Sequence, residues 1–189
     1  MKKLYTMLLL VISLCTASCS DWLDVSPSNQ VNGDKLFEIG DGYRNALNGI
    51  YLNLGTSSMY GQTMSWGFMD AIAQYYKTDN GSNFIPKTSA YYKSAKFQFE
   101  DSDVKTFISN IWSVSYNNIA NCNNLILNVS EASPSVFKEG EFEKNMIWGE
   151  ALALRAFMHF DLLRLFAPAI SKDDGKSYIP CLLYTSPSP

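Results

Sequence analysis

The sequence predicts an all-α fold. Three stretches, 41–54, 103–129 and 142–166, carry apolar residues at intervals of three and four, the repeat that gathers side chains on one face of a helix. Punctuation agrees with periodicity. Gly55 follows the first stretch, Pro168 closes the last, and Asp103 stands where a carboxylate caps the start of the second.

Ahead of these stretches the chain reads as an export leader and a tether. Lys2 and Lys3 precede an apolar run from Leu4 to Leu14 that is too short to remain as a membrane span, and the small residues Thr16, Ala17 and Ser18 stand directly before Cys19. Small residues before a cysteine resemble a lipobox, in which the thiol is acylated and becomes the new N-terminus. Cys19 is therefore the expected lipidation site. Cys15 does not fit, because the bulky Leu14 precedes it, and Thr16 stands where leucine is usual. Residues 1–18 are expected to be a lipoprotein signal peptide and 19–40 an acidic tether. The tether opens with Ser20-Asp21-Trp22-Leu23-Asp24-Val25, similar to the surface-export signals of Bacteroidetes lipoproteins. Loss of the leader leaves 13 basic against 18 acidic residues, so acyl chains and not attraction to acidic lipid supply the anchor.

The first helix of the body presents Tyr43, Ala46, Leu47, Ile50, Tyr51 and Leu54 on one side. Met59–Tyr76 is a weaker helical candidate with Trp66, Met69, Ile72 and Ala73 at suitable spacing and Asp70 among them. Lys77–Ser102 has no clear period and contains Asn80-Gly81-Ser82 and Pro86, which predicts a long loop with at most one short extended piece. Loops of that length often carry function. Its mixture of Asn80, Asn83, Phe84, Tyr91 and Tyr92 suits sugar binding, where a ring face packs on an aromatic while amides and acids meet hydroxyls. Trp66, Asp70, Asn83, Tyr91 and Tyr92 are the candidate ligand-binding residues, chosen because they fall in or beside this loop. The alternative for each is an ordinary core anchor.

On the long second helix Val104, Ile108, Ile111, Trp112, Ile119, Cys122, Ile126 and Val129 form one arc. The opposite side carries Asn110, Asn117, Asn121, Asn124 and Asn128, expected to face solvent because a buried amide without a partner is costly. Asn123 falls near Trp112 and Tyr116 around the axis and is expected to be buried and hydrogen-bonded. After a turn at Ser133-Pro134, the segment from Phe142 to Phe166 is apolar or small nearly all round, which predicts a central helix. Gly149, Ala153 and Ala156 would let a neighbour approach. Its charges, Glu150, Arg155, Asp161 and Arg164, need partners there. Asp161 and Arg164, three apart, can meet on one face, while Glu150 and Arg155 should reach other segments. A catalytic set built on His159 is the competing idea, but no motif places a nucleophile or partner acid beside it.

Composition excludes several classes. Fifteen Lys and Arg against eighteen Asp and Glu, with no basic cluster, give no footprint for nucleic acid. No Cys or His spacing suits a metal, and no cofactor is expected. Without the leader only Cys122 and Cys181 remain, too far apart to pair from spacing alone.

Four stretches together resemble the SusD/RagB family of outer-membrane lipoproteins. They are Cys19 to Val25, Ala46-Leu47-Asn48-Gly49-Ile50-Tyr51, Trp112 through Tyr116 with Ile119 and Asn123, and the run Gly149-Glu150-Ala151-Leu152-Ala153-Leu154-Arg155-Ala156-Phe157-Met158-His159-Phe160-Asp161-Leu162-Leu163-Arg164-Leu165-Phe166. The resemblance implies tetratricopeptide-like helix pairs with long ligand-binding loops over 41–180. It implies a surface lipoprotein that captures a glycan for a SusC-type TonB-dependent transporter and catalyses nothing. Peptide or glycoprotein-glycan capture, a lipoprotein glycoside hydrolase using carboxylates such as Asp70 and Asp79, and a purely structural scaffold are the competing readings. Family members are longer, so the chain reads as an N-terminal portion. Residues 181–189 depart from the family and read as the end of a truncated gene model, resembling translated sequencing-adapter sequence.

Overall fold

The computed structural model describes residues 33–77 and 85–181. The chain divides into two units, Met1–Leu36 and Phe37–Pro189. Of the first, the described part is a single turn of helix, α1, Gly33–Leu36. The second contains α2 (Gly40–Leu54), α3 (Phe68–Ile72), α4 (Ala90–Ala95), α5 (Ser102–Glu131) and α6 (Gly140–Phe166). Single 3-10 turns follow α5 at Pro134–Val136 and α6 at Ile170–Lys172. Among the described residues every regular element is helical, as the sequence periods require.

The three long helices form a stack whose directions can be read from residue numbers. Arg155 of α6 donates to the Asn123 amide oxygen of α5 at 2.9 Å, Lys144 to the Ala132 carbonyl at 2.8 Å, and the Phe166 ring meets Trp112 edge-on with centroids 4.9 Å apart. Numbers rise on one helix as they fall on the other, so α5 and α6 are antiparallel. Between α2 and α6 the offset is constant: Arg44 donates to Glu143 and Tyr51 to Glu150, each pair 99 residues apart. These two helices run parallel.

Apolar side chains fill the stack. Leu47 and Ile50 of α2, Ile119, Cys122 and Leu125 of α5, and Ile147, Ala151, Met158 and Leu162 of α6 share one core, and burial of this kind is the main stabilising term. A smaller cluster of Met64, Phe68, Val104 and Ile111 joins the start of α5 to the preceding segment. The arc predicted for α5 is the buried one, and Asn110, Asn117, Asn121 and Asn124 lie exposed. Asn123 is 6% exposed and paired, as expected.

Four expectations need correction. The cap of α5 is Asp101, whose carboxylate accepts the Asp103 N–H at 3.0 Å. Asp103 sits instead in the first turn, where its charge meets the positive end of the helix dipole. The stretch 59–76 is helical only over Phe68–Ile72, because residues 55–67 fold back on themselves: a Cβ on Gly61 would lie 2.4 Å from the Gly55 carbonyl oxygen. The stretch 77–102 contains α4, nucleated by Ser89, whose hydroxyl accepts the Tyr91 N–H at 3.3 Å. Finally, α6 is central on one side only. Ile147, Ala151, Met158 and Leu162 are buried, yet Phe142, Phe157, Phe160 and Leu163 are exposed, and nothing lies within 4 Å of a Cβ built on Gly149. On the far arc Phe157 packs on the Tyr60 ring at 5.1 Å and Phe160 and Leu163 line a cavity with residues 167–179, while the stretch around Gly149 is open among the described residues.

Candidate functional site

The segment between α2 and α5 places aromatic side chains at the surface. A pocket of about 240 Å³ is lined by Trp66, Gly67, Tyr76, Ile85 and Tyr91. Its walls are fixed by local bonds. The Tyr76 hydroxyl donates to the Trp66 carbonyl and closes a loop around α3. Gln62 donates from Nε2 to the Tyr91 hydroxyl at 2.8 Å, and the Tyr91 ring stacks on Phe107 of α5 at 5.4 Å and 22°. Phe107 in turn packs on Phe68 at 5.6 Å. Gln74, held at φ 61°, sends its amide to the Ala95 carbonyl at 2.7 Å and so ties the loop to the end of α4. A left-handed glutamine is strained, and such strain persists only where surroundings fix it. Gly67 is needed for close approach, since a Cβ there would lie 2.9 Å from the Gln62 carbonyl oxygen.

Of the candidates named from sequence, the structure brings Trp66 and Tyr91 together. Trp66 is 57% exposed, so most of its ring is open to a ligand. Asp70 lies half-buried on α3 and does not line the pocket. Tyr92 turns elsewhere, with the Lys96 ammonium 5.8 Å from its ring centroid. Asn83 and Cys19 lie outside the described residues, as do Asn80, Phe84 and Asp79. Tyr76 and Ile85 were missed; the signal that could have found Tyr76 is the exposed Tyr75-Tyr76 pair directly before the long aperiodic stretch. Among the described residues the lining offers ring faces, an arrangement suited to packing against a flat ligand surface. Among the described residues no group of three His, Cys, Asp or Glu could hold a metal ion.

Charged residues of α6 are paired with α2, with the segment that follows α2 and with one another. Glu143, 1% exposed, accepts from the Arg44 guanidinium and from the Glu139 N–H at 3.0 Å. Arg44 first, then that N–H, hold its carboxyl below the usual range. Glu150 accepts from Tyr51 at 2.8 Å. Asp161 accepts from the Tyr60 hydroxyl and from Arg164 Nε at 2.8 Å, and burial, with the neighbouring carboxylate, pushes the Tyr60 phenol far up. His159 has Nδ1 2.9 Å from the Arg155 carbonyl, so Nδ1 carries the proton there, and its buried Nε2 meets no partner among the described residues. It sits edge-on to Tyr116 at 6.5 Å and lines neither cavity described here. Cys122 and Cys181 are free thiols; burial pushes that of Cys122 up to about 11. A second cavity, of about 570 Å³, lies between the end of α6 and residues 167–179, with Phe160, Leu163, Ile170 and Tyr178 in its lining.

A SusD-like family model, described as starch-binding and associating with the outer membrane, matches residues 21–184. The chain belongs to the SusD-like family. The match contains all of the four resembling stretches except Cys19 and Ser20. Comparison with curated proteins and with solved structures gave no match. For a SusD-like chain, glycan binding at the outer membrane is the family property, and the helical stack is the all-α architecture that goes with it.

Proposed function

We propose that this chain is a surface lipoprotein, held in the outer membrane by acyl chains on Cys19, that captures oligosaccharides and passes them unaltered to a SusC-type TonB-dependent transporter. The observation that carries the reading is the pocket of Trp66, Tyr76 and Tyr91, in which three aromatic side chains are presented at the surface by a segment tied down from both sides. A pyranose face packs on such rings, and an aromatic contact contributes about 0.5–1.5 kcal/mol beyond area. Asp70 and Asn83 are the polar candidates for meeting the sugar's hydroxyls.

The family's description of starch binding makes starch and its oligosaccharides the first ligands to try. Affinity electrophoresis in gels containing soluble starch, and calorimetry with malto-oligosaccharides, should show binding that Trp66→Ala weakens by about tenfold, the equivalent of one lost stacking contact. Binding to peptide pools and to no glycan would move the reading to peptide capture. Turnover of any labelled polysaccharide that vanished on changing Asp70 would overturn the non-catalytic part. Cys19→Ala should release the protein from the membrane fraction; continued membrane retention would defeat the anchor.

A further inference from the structure

Two walls of the aromatic pocket come from separate pieces of chain, the turn that carries Trp66 and Gly67 and the helix α4 that carries Tyr91. Gln62 is not in the lining, yet it touches both walls. Its backbone carbonyl accepts the Gly67 N–H at 2.8 Å and the Ser65 N–H at 3.1 Å. Its Cγ would lie 3.3 Å from a Cβ on Gly67, so the side chain runs close behind that wall. From there the amide reaches across to α4 and donates from Nε2 to the Tyr91 hydroxyl at 2.8 Å. Tyr91 is thus held by its ring, against Phe107 of α5, and by its oxygen, against Gln62.

The direction of that bond matters as much as its position. A phenol has one proton to give and lone pairs with which to accept. The two phenols of the lining are used in opposite senses. Tyr76 gives its proton to the Trp66 carbonyl, which leaves its oxygen to act only as an acceptor. Tyr91 receives a proton from Gln62, and among the described residues nothing accepts its own. A hydroxyl hydrogen turns about its C–O bond to suit its surroundings, so that of Tyr91 is open to a ligand in the pocket. Ring and glycosidic oxygens of a sugar only accept. Stacking against Trp66 orients a sugar's face, and a single directed donor then fixes which oxygen lies over Tyr91.

We infer that Gln62 is a positioning residue of the glycan site, which sets Tyr91 so that its hydroxyl donates to a sugar oxygen. The inference rests on the reading of this pocket as the place where glycan binds. Its test reverses one bond. Gln62→Glu keeps the length of the side chain and reaches the same oxygen, but a carboxylate only accepts and so draws the Tyr91 proton away from the ligand. Binding of the full chain to maltoheptaose is measured by calorimetry, and to soluble starch, xylan and mucin by affinity electrophoresis. Gln62→Glu and Tyr91→Phe should each weaken binding by roughly fivefold, at an unchanged unfolding midpoint and helical signal. The double variant should bind no worse than either single one, because both changes remove the same donor. A Gln62 that serves only the fold would show its loss in the unfolding midpoint instead. If Trp66→Ala weakens binding while Gln62→Glu does not, or if the losses at 62 and 91 multiply, the inference falls and the site stands. A parent chain that binds none of these probes removes the site and the inference together.

Discussion

The helix stack of α2, α5 and α6 and the segment from Gly55 to Lys77 are held by different means. In the stack, side chains far apart in sequence meet across elements, at Ile147, Met158, Ile119 and Leu125, and polar pairs such as Arg155 with Asn123 fix the register. In the segment, a small apolar cluster with the start of α5 is joined by short-range bonds: Thr63 N–H to the Ser57 carbonyl at 3.0 Å, Gly67 N–H to the Gln62 carbonyl at 2.8 Å, Tyr76 to Trp66. The difference teaches where a fold can place exposed rings. Backbone bonds that satisfy the chain locally leave Trp66 and Tyr76 free of packing duty, whereas in the stack every large side chain on the buried arc is needed for cohesion.

That contrast can be broken or sharpened by substitution. Met158→Ala empties a fully buried site between α6 and its neighbours and should cost about 2–5 kcal/mol in denaturant unfolding; a cost under about 1 kcal/mol would mean that the stack is not where cohesion lies. Asn118→Ala comes next. This amide is 0% exposed, accepts from Asn53 Nδ2 at 3.1 Å and donates to the Val114 carbonyl at 3.0 Å, so its loss should cost about 1–3 kcal/mol by stranding a buried donor.

The Glu143 pair makes the comparison depend on pH. Its folded carboxyl titrates below the ordinary 4.5, so the pairing with Arg44 stabilises above that pH and is lost as acid carries the solution down through the lowered value. Between about pH 7 and pH 3 the parent protein should therefore lose more stability than Glu143→Gln. Equal losses would remove Glu143 from the stack's account. The smallest effect belongs to the segment: Trp66→Ala should shift stability by no more than about 0.5 kcal/mol, even as glycan binding falls.

How far the sequence could be read follows the same line. The three long helices were legible because their burial is periodic; even the pairing of Asp161 with Arg164 and the reach of Glu150 and Arg155 to other segments followed from where each charge falls around the axis, though the Tyr60 hydroxyl on Asp161 did not. Asn118 was not legible, since an asparagine between solvent-facing amides on α5 gives no sign that Asn53 will meet it. The pocket was half legible. Trp66 and Tyr91 could be picked as aromatics beside an aperiodic stretch, but Tyr76 enters the wall through a carbonyl ten residues back, and Asp70 and Tyr92 are turned from it by the pitch of two short helices. Such geometry is set by turns and by contacts at Gly61 and Gly67 that leave no periodic trace. One-sided burial of α6 was also beyond a hydropathy pattern, which records that both faces are apolar without recording how many neighbours are present to cover them.

The constant separation of 99 residues between Arg44 and Glu143 and between Tyr51 and Glu150 couples the lengths of two distant pieces of chain. Inserting one residue between Arg44 and Tyr51 would turn the later half of α2 by about 100° and carry the tyrosine off its acceptor. An insertion there would be tolerated only with a matching one between Glu143 and Glu150, so the two spans should lengthen or shorten together or not at all.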